Sequence, residues 1–383
     1  MEKINIVFSV DNNYIEHFVV SLISLLENNL ENTKLNIIVI DGGIEKKTQG
    51  FLSELADKYN AILSFEKINN DMLNGVNLEG HISEATYYRI MIPELFPENI
   101  KKVIYLDSDV LVRKDIMELW DTEIGDSVIG AIKLNEYNGY DKIDIPKDAP
   151  YFNAGVLVIN LDKWREEQIT RKAFEYIKRH PEKLIAHDQS ILNYLLYDKW
   201  HQVDYKWNVR TQIFSLDYLN AGFDNFESFE EVKEDPSIVH FTTASKPWHY
   251  LNNHPFKKEY FYYLDKTGYE YEKYPERKLL FEKEIILFGT GEKAKTYTNM
   301  LNKYNLDVSF YIDNDKKKWN DTFLMKHINS PSLLRDIKHK SVIIIASKYV
   351  EEISEQLTDQ GYILNKNYFK DLTSIANFVR NDG

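Results

Sequence analysis

"KKVIYLDSDV", residues 101–110, runs an apolar stretch straight into two aspartates one residue apart. Val103 to Leu106 follow one another without polar alternation, the pattern of a short strand covered on both faces. Asp107 and Asp109 then stand where that strand ends. Carboxylates this close disfavour each other's ionisation, so the pair is either a solvated turn or one wall of a cation site. Asp-x-Asp recurs at Asp313 and Asp315. The pattern alone is therefore weak, and its surroundings have to separate the two copies.

Outward from this stretch, the first half of the chain alternates strand-like and helix-like segments. "INIVFSV" reads as a strand, "IEHFVVSLISLLENN" as a helix, "KLNIIVIDGG" as a strand closed by a glycine turn, "QGFLSELADKYN" as a helix and "AILSFEKI" as a strand. "ISEATYYRIMIPELF" reads as a helix capped by Ser83 and bent or ended by Pro93. This order predicts an α/β fold, a mostly parallel sheet with helices on both faces. Ligands of such sheets sit outside the carboxyl ends of the strands. Asp107 and Asp109 occupy one such end and Asp11, after "IVFSV", another.

Beyond residue 150 come the strand "YFNAGVLVINLDKW", the amphipathic helix "REEQITRKAFEYIKRHPEK", the segment "HDQSILNYLLYDKW" and the strand and polar loop "PSIVHFTTASKPWHY". From about Pro255 to Leu280 the text is aromatic and charged, a connecting helix and linker. Its basic and aromatic residues would suit a membrane surface, but the interleaved Glu259, Asp265 and Glu270 favour a packed connector. A fresh strand, glycine turn, helix and strand follow. The expected domains are 1–255, a connector 256–280, and a smaller α/β unit 281–383.

Composition narrows the function. The chain has 383 residues, 43% hydrophobic and 28% charged, long enough for two cores. A formal charge of −13 argues against nucleic acid as the main partner. An acidic protein needs a bound cation or a local basic cluster to hold an anionic substrate. With no cysteine there is neither thiolate metal site nor cysteine nucleophile. The start, "MEKINIVFSV", has no signal-peptide pattern, and no apolar stretch reaches the ~20 residues of a spanning helix. A cytoplasmic location is expected, with contact at the inner face of the membrane left open.

Around Asp107 and Asp109, hard carboxylate oxygens would suit Mg²⁺ or Mn²⁺. His240 leaves another strand end; taken alone it is more often a packed residue, but joined to the acids it would favour Mn²⁺. Arg89, on a helix of Tyr and apolar residues, either pairs with an acid or reaches a phosphate. Lys246 is a phosphate contact or a surface lysine.

"FSVDNNY", "HISEATYYRIMIPELF", "KVIYLDSDVLVRKDIMELWD", "YFNAGVLVINLDKW", "HDQSILN" and "VHFTTASKPWH" occur in an order and spacing that resemble the family 8 glycosyltransferases. The resemblance covers residues 1 to about 255. It implies a single Rossmann-like nucleotide-sugar fold of the GT-A type, a UDP-hexose donor held through Mn²⁺ with Mg²⁺ as the alternative, and transfer with retention of configuration. Residue by residue, it implies Asp107, Asp109 and His240 as metal ligands. Val10, Asp11, Asn13 and Tyr14 would form the uridine pocket, and Ser108 a ribose contact. Arg89, Asn153, Ala154, Gly155 and Asp188 would surround the donor sugar, with Lys246 on the diphosphate and Gln189 against the reactive face. Catalytic roles fall to Gln189 and Asp188. A covalent glycosyl intermediate would want a carboxylate at 189, so front-face attack by the acceptor hydroxyl is the expected course. Relatives carry Gly-Pro-x-Lys-Pro-Trp after the histidine; here the run is Thr243-Ala244-Ser245-Lys246-Pro247-Trp248.

In the smaller unit, Gly289-Thr290-Gly291-Glu292-Lys293-Ala294 fits G-x-G-x-x-A after a strand, with Asp313 ending the next one. The order of expectation is an add-on for acceptor binding, stability or dimerisation, then a nucleotide site, then a dehydrogenase. The whole reads as a UDP-hexose glycosyltransferase, galactose ahead of glucose, extending a saccharide on a protein, lipid or capsule precursor. The alternative is a sugar-nucleotide or dinucleotide-binding protein whose C-terminal unit does the work. A second copy of the chain is a candidate partner.

Overall fold

The computed structural model describes residues 3–30, 33–68, 84–135, 143–146, 149–180 and 187–378. The chain divides into two compact units, one of residues 1–242 and 258–269, the other of 243–257 and 270–383.

The strands of the first unit are β1 (Lys3–Val10), β2 (Lys34–Asp41), β3 (Ile62–Glu66), β4 (Lys102–Leu106), β5 (Val110–Val112), β6 (Ile129–Lys133), β7 (Phe152–Asn160), β8 (Trp200–Gln202), β9 (Val209–Arg210) and β10 (Ile238–His240). Seven form one sheet in the order β3-β2-β1-β4-β7-β6-β8. The run from β3 to β4 is parallel, as the alternating pattern predicts. β7 then enters antiparallel to both β4 and β6, so the far half is mixed. No apolar pattern encodes that reversal: Phe152 to Ile159 are buried throughout, as a strand covered on both faces would be in either direction.

β1 shows why the parallel half is solid. Ile4, Ile6, Val7 and Phe8 are fully buried, since helices cover both faces. The helix Ile15–Glu27 buries Phe18, Val19, Leu22 and Leu25. It also buries two serines that hold the Asp-x-Asp turn. Ser21 Oγ lies 2.8 Å from the carbonyl of Ser108 and 2.7 Å from that of Val110, and Ser24 Oγ accepts from Val112 N–H at 3.0 Å.

The segment Glu84–Leu95 is a 3₁₀ helix that runs through Pro93 rather than an α-helix stopped by it. Pro93 has no N–H to close an α-type bond. The carbonyls of Pro93 and Phe96 are taken instead by the Arg165 guanidinium, at 3.1 and 2.8 Å. Ser83, the expected cap, lies outside the described residues.

A smaller sheet, β5-β10-β9, carries the chain from the Asp-x-Asp turn to His240. β5 and β10 are antiparallel, with Val110 opposite His240. That register sets an imidazole beside the two acids.

The segment expected as a single connector is shared between the units. Residues 258–269, which begin inside the helix Lys257–Thr267 and run just past its end, belong to the first unit and include the buried Tyr260, Phe261, Tyr263 and Leu264. Arg113 donates from Nε to Glu259 at 2.9 Å, and Asn28 donates to the Tyr263 hydroxyl at 2.7 Å. The helix Pro275–Glu282 instead places Leu279 and Leu280 in the core of the second unit.

The second unit has β11 (Glu284–Phe288), β12 (Val308–Ile312), β13 (Thr322–Phe323), β14 (Lys326–Asn329), β15 (Ser341–Ile345) and β16 (Tyr368–Phe369), ordered β13-β14-β12-β11-β15-β16. Its central strands are parallel. Ile285, Leu287, Val342 and Ile344 enter one core, while Ile286, Phe288, Ile343 and Ile345 enter the other. Period-two placement thus covers both faces of an unbroken apolar strand. Among the described residues no helix is long and apolar enough to cross a membrane.

Candidate functional site

β1 and β4 are neighbours, Phe8 opposite Leu106, so their carboxyl ends open side by side. After β1, Asp11 accepts through Oδ1 from the N–H groups of Asn13 (2.9 Å) and Tyr14 (3.2 Å). This fixes a short turn whose Tyr14 ring is 37% exposed and stands edge-on to His17.

After β4, Asp107 and Asp109 turn toward His240. His240 Nε2 lies 3.4 Å from Asp107 Oδ2 and 3.3 Å from Asp109 Oδ1. One donor atom from each residue falls within 4.8 Å of the others. Backbone bonds brace the group, with Asp107 N–H donating to Gly155 O (2.8 Å) and Phe241 N–H to Asp109 O (3.1 Å).

Arg89 crosses behind this cluster. Its NH2 group is 2.9 Å from Asp107 Oδ1, its Nε faces Asp188 Oδ2, and its NH1 donates to the Ala154 carbonyl at 2.6 Å. The guanidinium therefore joins Asp107 to Asp188 and stacks on Tyr105, 4.6 Å from the ring centre. Of the two readings open for Arg89, pairing with an acid is the one its contacts display.

The electrostatics follow from burial and company. Burial opposes charge on Arg89, but Asp107 and Asp188 more than offset it and keep the side chain cationic. Burial pushes the Asp107 carboxyl up, while Arg89 and His240 outweigh it and hold it below its ordinary value. At Asp188 burial prevails over Arg89, and the carboxyl rises to about 6. Burial disfavours the charged form of His240, yet hydrogen bonds to the two acids raise its pKa overall.

These residues fit a divalent cation. Asp107 and Asp188 share one guanidinium, and Asp109 adds a third carboxylate beside His240, a surplus of negative charge. Two carboxylates and an imidazole are also the donor types that Mn²⁺ accepts. The space is kept by a glycine, for a Cβ on Gly155 would fall 2.1 Å from His240 Cε1 and 2.6 Å from Asp107 Oδ2.

The sugar-side residues of the sequence reading converge on the same cluster. Gln189 Oε1 accepts from Ala154 N–H and from Asn153 Nδ2, both at 3.0 Å. Asn153 Oδ1 accepts from Gly155 N–H at 3.0 Å and from Asn208 Nδ2 at 2.8 Å. Asn208 in turn lies 2.9 Å from His240 Nδ1. Asn208, Ser21 and Ser24 carry no motif that marks them in the sequence as part of this site. The two serines had a faint signal, polar residues three apart on an apolar helix; Asn208 had none. Lys246 falls in the second unit, with its ammonium 5.8 Å from the Trp248 ring centre.

In the second unit, a cavity of about 610 Å³ opens at the Gly289–Lys293 turn. Gly289 has φ +123°, and a Cβ there would meet Ala346 O at 2.5 Å, so this turn requires glycine. Asp313 is already engaged. Its Oδ2 accepts from Thr290 Oγ1 (2.5 Å) and Lys318 Nζ (2.9 Å), and its Oδ1 from Asp315 N–H (2.9 Å).

A glycosyl transferase family 8 model matches residues 5–252, and a C2185-like N-terminal domain model matches 281–367. General stress protein A of Bacillus subtilis is 34% identical over 270 residues, 70% of this chain and 94% of that protein. The lipopolysaccharide 1,3-galactosyltransferase of Salmonella typhimurium is 31% identical over 66% of this chain and 75% of its own length. Among solved structures, the galactosyltransferase LgtC with donor and acceptor sugar analogues aligns with a TM-score of 0.60 at 27% identity, over 70% of this chain and 98% of that one. The GT-A type α/β fold with a second domain, the acid–histidine cluster at its strand ends and these matches agree: the chain belongs to the family 8 glycosyltransferases.

Proposed function

We propose that the chain transfers a hexose, galactose ahead of glucose, from a UDP-sugar to a saccharide acceptor on a protein, lipid or capsule precursor, with retention and with Mn²⁺. The convergence of Asp107, Asp109 and His240 from two sheets, in a family 8 chain, carries this reading. Galactose is placed ahead of glucose because a galactosyltransferase relative is 31% identical, against 26–28% for the glucosyltransferase relatives.

Asp107, Asp109 and His240 would hold the ion, which supplies Lewis-acid stabilisation to the departing diphosphate. Asp11, Asn13 and Tyr14, with Val10, take the uridine and Ser108 the ribose. Arg89 keeps Asp107 and Asp188 oriented, and Asp188 with Asn153, Ala154 and Gly155 borders the donor sugar. The carbonyl oxygen of Gln189 already accepts two hydrogen bonds, and a neutral amide is a poor nucleophile. Transfer therefore runs on one face: the acceptor oxygen bonds to the anomeric carbon as its bond to the phosphate oxygen breaks, and the acceptor's proton passes to that phosphate.

A donor screen tests the reading. With Mn²⁺, UDP release is expected to be fastest from UDP-galactose, slower from UDP-glucose and slowest from UDP-N-acetylglucosamine. No release from any of them, with or without acceptor saccharides, would sink it.

A further inference from the structure

Asn208 is 1% exposed at the end of the 3₁₀ turn Tyr205–Asn208, just before β9. β9 pairs with β10 in parallel, Arg210 opposite His240, which carries Asn208 to the inner side of the imidazole. A buried amide keeps its place only when its donors and acceptors are matched. Here the match has a direction.

The backbone N–H of Gly155 can only donate, so the Asn153 atom facing it at 3.0 Å is the oxygen. The Asn208 atom 2.8 Å from that oxygen is then the NH₂ nitrogen. The remaining Asn208 atom, 2.9 Å from His240 Nδ1, is therefore the carbonyl oxygen, and Nδ1 must carry a hydrogen to donate to it. In the neutral ring the lone pair is left on Nε2, the nitrogen that faces Asp107 and Asp109. At the other end, Ala154 N–H fixes Gln189 Oε1 as an acceptor, which is consistent with Asn153 donating through Nδ2.

We infer that Asn208 is a positioning residue: it fixes His240 in the tautomer that offers Nε2 to a metal ion, reading the polarity of the Gly155 backbone through Asn153. The inference rests on the metal site proposed above. Partners in this position, behind a metal-binding histidine, generally affect metal affinity by about 10- to 100-fold. A buried amide with a purely structural role would affect stability alone.

The test is the Mn²⁺ dissociation constant of the full chain, read from the electron paramagnetic resonance of free Mn²⁺ with and without UDP. Thermal midpoints are recorded on the same samples. Asn208→Leu removes the acceptor and is expected to weaken Mn²⁺ binding by about 10- to 100-fold. Asn208→Ala serves the same purpose if the leucine variant folds poorly. Asn208→Asp keeps an acceptor for Nδ1–H and is expected to stay within about threefold of wild type while losing the bond to Asn153. Affinity near wild type in the leucine or alanine variant, or an equal loss in the aspartate variant, would overturn the inference. His240→Ala is the control. If it weakens Mn²⁺ binding and Asn208→Leu does not, only the positioning role fails; if it has no effect, the metal reading and this inference fail together.

Discussion

Asp107-Ser108-Asp109 and Asp313-Asn314-Asp315 have the same spacing, and each follows a strand in a parallel part of a sheet. In the second unit the charge is spent within the turn. Asp313 takes Thr290 and Lys318, while Asp315 accepts from Lys317 N–H and caps the short turn Lys316–Lys318. In the first unit Arg89 meets Asp107 but is shared with Asp188, and a histidine fills the remaining side. Among the described residues, Asp107, Asp109 and His240 form the only group of three or more metal-ligand side chains in reach of one another. The difference teaches that two carboxylates stay available to a cation when their neighbours leave negative charge unspent. When a lysine and a threonine are at hand, the same pair becomes a turn.

The glycines beside the two sites allow the hardest test of this contrast. Gly155→Ala drives a methyl into His240 and Asp107, so Mn²⁺ affinity and turnover are expected to fall by at least about 100-fold, the upper end for disturbing a metal's supporting residues. Gly291→Ala meets nothing within 4 Å. It should leave both unchanged and lower the thermal midpoint by no more than a few degrees, since glycine is preferred to alanine at an N-cap by about 1 kcal/mol or less. Titrating Mn²⁺ into both variants decides the matter; equal losses would erase the contrast.

Gln189 sharpens the chemical side of the comparison. Gln189→Ala is expected to lower turnover by about 10- to 10³-fold, the range for losing one group that stabilises developing charge. Intact-mass spectrometry of the wild type with UDP-galactose and no acceptor should find no added hexose. A hexose mapped to Asp188 or Gln189 would replace the front-face course with a covalent one.

How much of this was legible in the sequence depended on the kind of residue. Apolar runs such as Ile6–Phe8 and Ile285–Phe288 announced their strands, because burial on both faces leaves no polar residue in the run. Asp107, Asp109 and His240 stood at the ends of such runs and could be found. The antiparallel entry of β7 could not, since strand direction is set by partners distant in sequence. Ser21, Ser24 and Asn208 were hidden for a related reason. Their worth lies in hydrogen bonds to residues 87, 88 and 32 positions away, and nothing local marks such a partner.

A smaller effect separates the units by pH. Burial pushes His249 and His254 of the second unit down to about 4, with Lys246 and Lys257 adding to the effect at His249. Between pH 6.5 and 4 the unfolded chain binds protons there that the folded chain does not, so stability falls as pH falls. The proton on His240 is instead favoured by its acids. Thermal unfolding of the metal-free chain at pH 7 and pH 5 should show the second unit losing a few degrees. His254→Asn should shrink that loss, and a pH-independent midpoint would contradict it.

The claim that one Asp-x-Asp turn holds an ion and the other does not can be measured directly, by counting Mn²⁺ bound per chain with electron paramagnetic resonance. The expected result is one saturable ion, lost in Asp109→Asn and kept in Asp313→Asn. An ion that survives Asp109→Asn, or one that disappears with Asp313→Asn, would contradict it.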